Sequence, residues 1–187
     1  AAPVIYSVDC EPAEINNRIE GCTAILADLR ELAGAALPMA RASNLPVRSD
    51  WIEEIRALRE AWPDTQELPG LSGINPNVLM HRLSSVSRNA AAFVADVGQH
   101  QMWAAQSLEL LLDQRFLTSG GLGSMGFGLP AAIGASLAAN GRPIVLVAGD
   151  GGFQNNIQEL QTVARNGLPI KMLIANNRHL KSEEQPS

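Results

Sequence analysis

Pro143-Ile144-Val145-Leu146-Val147-Ala148-Gly149-Asp150-Gly151 is the stretch that decides the fold. Its first six residues are apolar without alternation, which predicts a short strand buried on both faces. Strands of that kind belong to parallel sheets, with helices packed on both sides. The next three residues end the run with a carboxylate between two glycines. In such sheets ligands gather at the carboxyl ends of the strands, so this turn is a candidate site.

Working outward, the same alternation continues in both directions. Downstream, 156–165 reads as a helix and 170–175 as another apolar strand, ending in Asn176-Asn177. Upstream, 126–139 reads as an Ala- and Gly-rich helix suited to close packing on a sheet. Before it come a short strand at 115–118, a helix at 101–112, a buried strand at 91–97 and a helix at 77–84. Strands alternating with helices predict an α/β fold with a doubly wound, mostly parallel sheet. The polar tail 181–187 leaves that pattern, so the sheet is expected to be incomplete at its C-terminal end.

The first 74 residues follow a different pattern. A β-branched run at 4–8 ends in the acidic turn Asp9-Cys10-Glu11-Pro12, and a helical spacing follows at Ile25, Leu29 and Leu32, closing near residue 37. Residues 38–50 read as a linker, and 51–62 as an amphipathic helix after an Asp50 N-cap. Residues 63–73 read as loop. The expected organisation is a remnant of another domain at 1–37, a linker with one helix at 38–74, and a ligand-binding domain at 75–187.

Composition narrows the function. Of 187 residues, 46% are hydrophobic, enough for a sizeable and mostly aliphatic core, since only one Tyr, four Phe and three Trp are present. The formal charge of −5 with no Lys/Arg cluster argues against nucleic acid or an anionic membrane as partner. A diphosphate remains compatible, because backbone N–H groups and a metal bind it without basic side chains. Cys10 and Cys22 make no disulfide framework and read as ordinary thiols. With no secretory pattern and no run long enough to span a bilayer, a cytoplasmic location is expected.

Three segments leave strand ends and carry unusual residues. In Asp96-Val97-Gly98-Gln99-His100, the glycine lets the backbone approach a ligand, and Gln99 and His100 can donate hydrogen bonds to an anion; capping of the next helix accounts for the segment about as well. In Ser119-Gly120-Gly121-Leu122-Gly123-Ser124-Met125-Gly126, the pattern Gly121-x-Gly123-x-x-Gly126 fits a dinucleotide fingerprint, so a nicotinamide-dependent oxidoreductase is a rival reading. The polar end of the short preceding strand counts against it, and Met125 is as readily a core side chain. The third pairing is the sharpest. Gly149-Asp150-Gly151 and Asn176-Asn177 end consecutive strands separated by one helix, so Asp150 and Asn177 should face each other beside the helix that starts near Asn156. Mg²⁺ takes near-octahedral oxygen ligands, and a carboxylate, an amide oxygen and a backbone carbonyl would supply half of that shell. The helix dipole would favour a diphosphate.

Gly149-Asp150-Gly151 with Asn176-Asn177 resembles the thiamine-diphosphate motif. Asp96-Val97-Gly98-Gln99-His100-Gln101-Met102-Trp103 and the runs 118–135 and 151–180 are similar to the C-terminal cofactor domain of the acetolactate synthase family. Val8-Asp9-Cys10-Glu11-Pro12-Ala13-Glu14-Ile15 resembles the end of that family's central domain. The resemblance implies that Asp150, Asn177 and the backbone carbonyl of His179 bind Mg²⁺, and that Gln99, His100, Gly151 and Gly152 contact the diphosphate of thiamine diphosphate. It also implies that the Gly123 carbonyl accepts from the cofactor's 4′-amino group and that Met125 is the wedge bending the cofactor. The implied reaction is decarboxylation of pyruvate and transfer of its two-carbon unit to a 2-keto acid. Other members of the wider family act as decarboxylases, oxidases or keto-sugar carboligases. The activating glutamate belongs, in that family, to an N-terminal domain of a neighbouring subunit. No catalytic residue is therefore assigned here, and the chain is expected to be inactive alone and to work as a homo-oligomer or with a partner chain that supplies that domain. There is little ground for FAD, because most of the central domain that would hold it is missing. A non-catalytic fragment is the remaining alternative.

Overall fold

Tyr6–Asp9 (β1) and Thr23–Leu26 (β2) pair in parallel, from Tyr6 opposite Thr23 to Asp9 opposite Leu26. They open the computed structural model, which describes residues 4–43, 46–66 and 73–176. The chain divides into two units, Ala1–Arg59 and Glu60–Ser187. In the first, Leu29–Ala42 forms α1 and Ser49–Ala61 forms α2, which crosses the unit boundary. No described residue of this unit is buried.

The structure corrects the sequence reading here. Ile25 lies in β2, not in a helix with Leu29 and Leu32. Asp28 separates the two elements, because its carboxylate accepts from Arg30 N at 2.7 Å and caps α1. That helix continues through Pro38 to Ala42, so the expected linker begins later; the proline forfeits only the hydrogen bond its N–H would have made one turn back. Asp50 lies in the first turn of α2 rather than at its N-cap, where its charge still suits the positive end of the helix dipole.

The second unit is built on the predicted sheet. Its elements are α3 (Pro76–Val86), β3 (Ala92–Ala95), α4 (Gln99–Ser107), β4 (Arg115–Thr118), α5 (Gly128–Ala138), β5 (Ile144–Gly149), α6 (Asp150–Asn155), a 3-10 turn (Ile157–Glu159), α7 (Leu160–Arg165) and β6 (Ile170–Ala175). All four strands are parallel, in the order β4-β3-β5-β6. The chain moves from β3 outward to β4 and then returns to β3's other side, so the topological switch point lies between β3 and β5.

Successive side chains of a strand point to opposite faces, and the two cores follow that period. Phe93, Ala95, Val145 and Val147 pack on one face with Met80, Ala90 and Ala104 of the α3/α4 side. Ala92, Val94, Ile144, Leu146 and Ala148 pack on the other with Leu129 and Ala132 of α5, and Phe153, Leu160 and Val163 close the edge of that layer. Burying each large side chain contributes about 1.5–3 kcal/mol, so β3 and β5 carry most of the stability.

Three boundaries differ from expectation. The helix after β3 ends at Ser107, because Leu108 turns extended and Gln114 builds the following loop: its Oε1 accepts from Leu111 N at 3.0 Å and its Nε2 donates to Ala90 O at 3.0 Å. The Ala- and Gly-rich helix begins at Gly128, not Gly126, whose φ of +87° is not helical. The helix expected from Asn156 starts instead at Asp150 and is broken near Asn156 into α6, a 3-10 turn and α7. Away from the sheet ends, Asp64 fastens the segment before α3. Ser107 Oγ donates to it at 2.6 Å and His81 Nε2 lies 3.0 Å away, while His81 Nδ1 meets Glu109 at 3.1 Å.

Candidate functional site

The carboxyl ends of β3 and β5 lie side by side, since Ala95 pairs with Val147 and Asp96 N donates to Val147 O at 2.9 Å. Beyond β3, Gly98 takes φ +154° and ψ −168°, a conformation open almost only to glycine. That turn swings the first residues of α4, Gln99 and His100, over the sheet end. The His100 ring packs between two glycines: a Cβ on Gly98 would stand 2.8 Å from His100 Cε1, and one on Gly149 would stand 3.1 Å from it. His100 is 4% exposed, and its Nε2 is buried without a hydrogen-bond partner. Burial holds the His100 pKa below its ordinary value, while the nearby charges of Asp96 and Asp150 pull it partly back. A neutral imidazole with an unsatisfied nitrogen is a group that a polar ligand could complete.

Beyond β5, Gly149 remains extended and Asp150 is the first residue of α6, followed by Gly151 and Gly152. Asp150 is half-buried, and among the described residues no hydrogen bond to its carboxylate is found. Opening the helix with Asp-Gly-Gly works because a carboxylate suits the positive end of the dipole, and glycines leave the first turn bare of side chains. The β5/β6 register continues to Gly149 opposite Ala175, so the chain segments carrying Asp150 and Asn176 leave adjacent strands together. Asn177 and His179, the other expected metal ligands, lie outside the described residues. Among the described residues, no group of three or more His, Cys, Asp or Glu side chains could hold a metal ion.

The third segment is a loop between β4 and α5. Gly123 (φ +70°) and Gly126 (φ +87°) turn it, and Gly123 N donates to Ser119 O at 3.2 Å. Met125 is 45% exposed, so it is not the core side chain it could have been. Asp96 fixes the far end of the loop. It is 1% exposed, accepts from Gly126 N at 3.2 Å through Oδ2 and from Gly128 N at 3.0 Å through Oδ1. Asn156 Nδ2 donates to Gly126 O at 2.7 Å. A Cβ on Gly152 would overlap Asp96 Oδ2, so α6 approaches β3 as closely as it does only because that residue is glycine.

The arrangement bears on the dinucleotide reading. A pyrophosphate bound through Gly121-x-Gly123-x-x-Gly126 needs the free N–H groups at the start of the following helix. Here Gly126 and Gly128 already donate to a buried carboxylate, so these N–H groups are taken. The start of α6, with Gly151 and Gly152, carries no such carboxylate cap: its N-cap is Gly149, and no side chain bonds there.

The sequence singled out Gln99, His100, Gly123, Met125, Asp150, Gly151 and Gly152, and the fold brings the segments carrying them to the same end of one sheet. It missed Asp96 and Asn156. Asp96 left a signal: a carboxylate directly after four fully buried residues, Ala92-Phe93-Val94-Ala95, needs partners. Asn156 left none, because its partner is a backbone carbonyl 30 residues away.

A parallel α/β sheet with this switch-point crevice matches a known class. Residues 96–187 match the family of thiamine pyrophosphate enzymes, in their C-terminal, TPP-binding domain. Within that class the chain is similar to acetolactate synthase large subunits. It is 39% identical over 180 residues to the isozyme 2 large subunit of Escherichia coli, covering 96% of this chain and 31% of that protein. It is 39% identical over 180 residues to the large subunit of Pyropia yezoensis, covering 95% and 30%. It is 36% identical over 182 residues to the acetolactate synthase of Mycobacterium bovis, covering 96% and 29%. The chain thus spans about three tenths of the length of these relatives. Among the described residues no helix is long and apolar enough to cross a membrane.

Proposed function

We infer that this chain binds thiamine diphosphate with Mg²⁺ and forms the cofactor-holding part of an acetolactate-synthase-like carboligase. The observation that carries this reading is the β3/β5 switch point, where a half-buried Asp150 opens α6 near the buried ring of His100, whose Nε2 has no hydrogen-bond partner. In this reading Asp150, the Asn177 side chain and the His179 carbonyl hold the metal. Gln99, His100, Gly151 and Gly152 meet the diphosphate, the metal and the helix start balancing its charge. The Gly123 carbonyl and Met125 meet the cofactor's ring end, and Met125 excludes water from one side of it.

When bound, thiamine diphosphate would supply the carbon nucleophile for decarboxylating a 2-keto acid and passing on its two-carbon unit. This chain's residues bind, orient and shield. The carboxylate that activates the ring is assigned to another domain, on a neighbouring subunit. Glu109 and Glu159 are engaged elsewhere, with His81 and Thr162, and the acid is not sought among them. Residues 75–187 are taken as the cofactor domain, and the residues before them as the part of the relatives' chain that precedes it.

Titration calorimetry tests the reading. Thiamine diphosphate should bind with 1:1 stoichiometry in Mg²⁺ and lose most of its affinity in EDTA, and NADH should not bind. Equal affinity in Mg²⁺ and EDTA, or NADH binding in place of thiamine diphosphate, would overturn it.

A further inference from the structure

We propose that Asp96 is a positioning residue for the cofactor site, fastening the loop that carries Gly123 and Met125 to the strand ends that carry His100 and Asp150. The inference rests on the thiamine-diphosphate reading for its ligand, but its geometry stands independently. The first N–H groups of a helix have no intrahelical partner and call for a cap. The sequence before α5 provides none: its N-cap is Phe127, with no side-chain hydrogen bond to the helix. Asp96 fills that role from the end of another strand, accepting from Gly128 N, the first residue of α5, with one oxygen. Its second oxygen accepts from Gly126 N inside the loop. Asn156 holds the same peptide segment from the opposite side, through Gly126 O. Gly126 is therefore held at both its N–H and its C=O, by residues belonging to the two other segments of the site.

The packing leaves this joint no slack. A Cβ on Gly126 would come within 2.8 Å of Asn155 Cβ, one on Gly128 within 2.8 Å of Asp96 Cβ, and one on Gly152 would overlap Asp96 Oδ2. Three glycines, one from the loop, one from α5 and one from α6, surround one buried carboxylate. Moving Asp96 would shift the loop bearing Met125 and the helix start bearing Asp150 relative to each other. An asparagine at this position keeps the volume but offers one acceptor oxygen, and turns its NH₂ toward an N–H.

The test compares Asp96→Asn with Val145→Ala, a core truncation on the opposite face of the sheet that destabilises without touching the joint. Amide hydrogen exchange at Gly126 and Gly128 is read first, because it needs no ligand, and thiamine diphosphate affinity in Mg²⁺ second. In Asp96→Asn, exchange at these two amides should accelerate about tenfold or more beyond the global change, and affinity should fall about 10- to 100-fold, as expected for loss of a buried bond to a charged group. Val145→Ala should lower the melting temperature, leave affinity at the wild-type level and accelerate exchange at these two amides by no more than the global change. Unchanged exchange at Gly126 and Gly128 in Asp96→Asn, or the same affinity loss in both variants, overturns the proposal. If Asp96→Asn does not fold, Asn156→Ala decides: weaker binding with the fold intact supports the joint, and wild-type affinity refutes it. Should the wild-type chain itself not bind thiamine diphosphate, the ligand reading fails, and the exchange data still decide whether Asp96 holds the loop.

Discussion

Two neighbouring strands of the sheet, β3 and β5, are each followed closely by an aspartate, and the two carboxylates end in opposite circumstances. Asp96 is 1% exposed and both its oxygens are taken by backbone N–H groups of the loop and of α5. Asp150 is half-buried and opens its own helix, and no described residue donates a hydrogen bond to its carboxylate. The difference comes from what lies opposite. The turn before α5 reaches across to β3 and presents two donors, whereas Gly151 and Gly152 after Asp150 present only a bare helix start. A strand-end carboxylate is thus committed to structure where backbone donors claim it, and in the proposed reading Asp150, which no described donor claims, takes the metal.

Alanine at the two positions gives the largest separation. Asp96→Ala strands two buried N–H groups and should cost about 2–4 kcal/mol or more of stability. Asp150→Ala removes no hydrogen bond made by the described residues and should change stability by about 0.5 kcal/mol or less. Urea denaturation of both variants checks this, and an equal cost at the two positions would break the comparison.

A smaller effect is expected at the glycines. Gly152→Ala drives a methyl into Asp96 Oδ2 and should cost about 1–3 kcal/mol, while Gly121→Ala meets nothing within 4 Å and should be near neutral. Melting temperatures of the two variants would sharpen the contrast between the packed and the open parts of the site.

The smallest effect is a pH dependence from His100. Its folded pKa is lowered, first by burial, so the unfolded chain takes up a proton more readily. Its stabilising contribution is complete above the ordinary value of 6.5 and declines as pH falls below that value toward the folded pKa. Thermal unfolding followed from about pH 7.5 to about pH 5.5 should show a falling midpoint, and His100→Gln should flatten that part of the curve. An unchanged slope in the variant would move the origin of the pH dependence elsewhere.

Much of the sheet was legible because its signals are local. The strands at 115–118 and 170–175 appear where their apolar runs lie, and the glycines at the ends of β3 and β5 marked the crevice. The early chain was misread because Ile25, Leu29 and Leu32 imitate a helical spacing, whereas β1 pairs with residues 23–26 and the Asp28 cap starts the helix three residues later. The helix after β5 was placed late because Asp-Gly-Gly reads as a turn. In the fold, an extended Gly149 lets the helix begin at once. Asp96 stood inside a recognised motif without a role, since its partners lie 30 and 32 residues away and only the folded loop brings them in.

In the proposed site Asp96 holds the segments together and Asp150 binds the metal. Mn²⁺ in place of Mg²⁺ reads this directly, because a paramagnetic ion broadens the NMR signals of the amides nearest to it. With thiamine diphosphate present, Mn²⁺ should broaden the amides of Gly149, Gly151 and Gly152, and Asp150→Ala should restore them to sharpness while the rest of the spectrum stays folded. Broadening that persists in Asp150→Ala, or that centres on another part of the chain, would contradict the assignment of Asp150 to the metal.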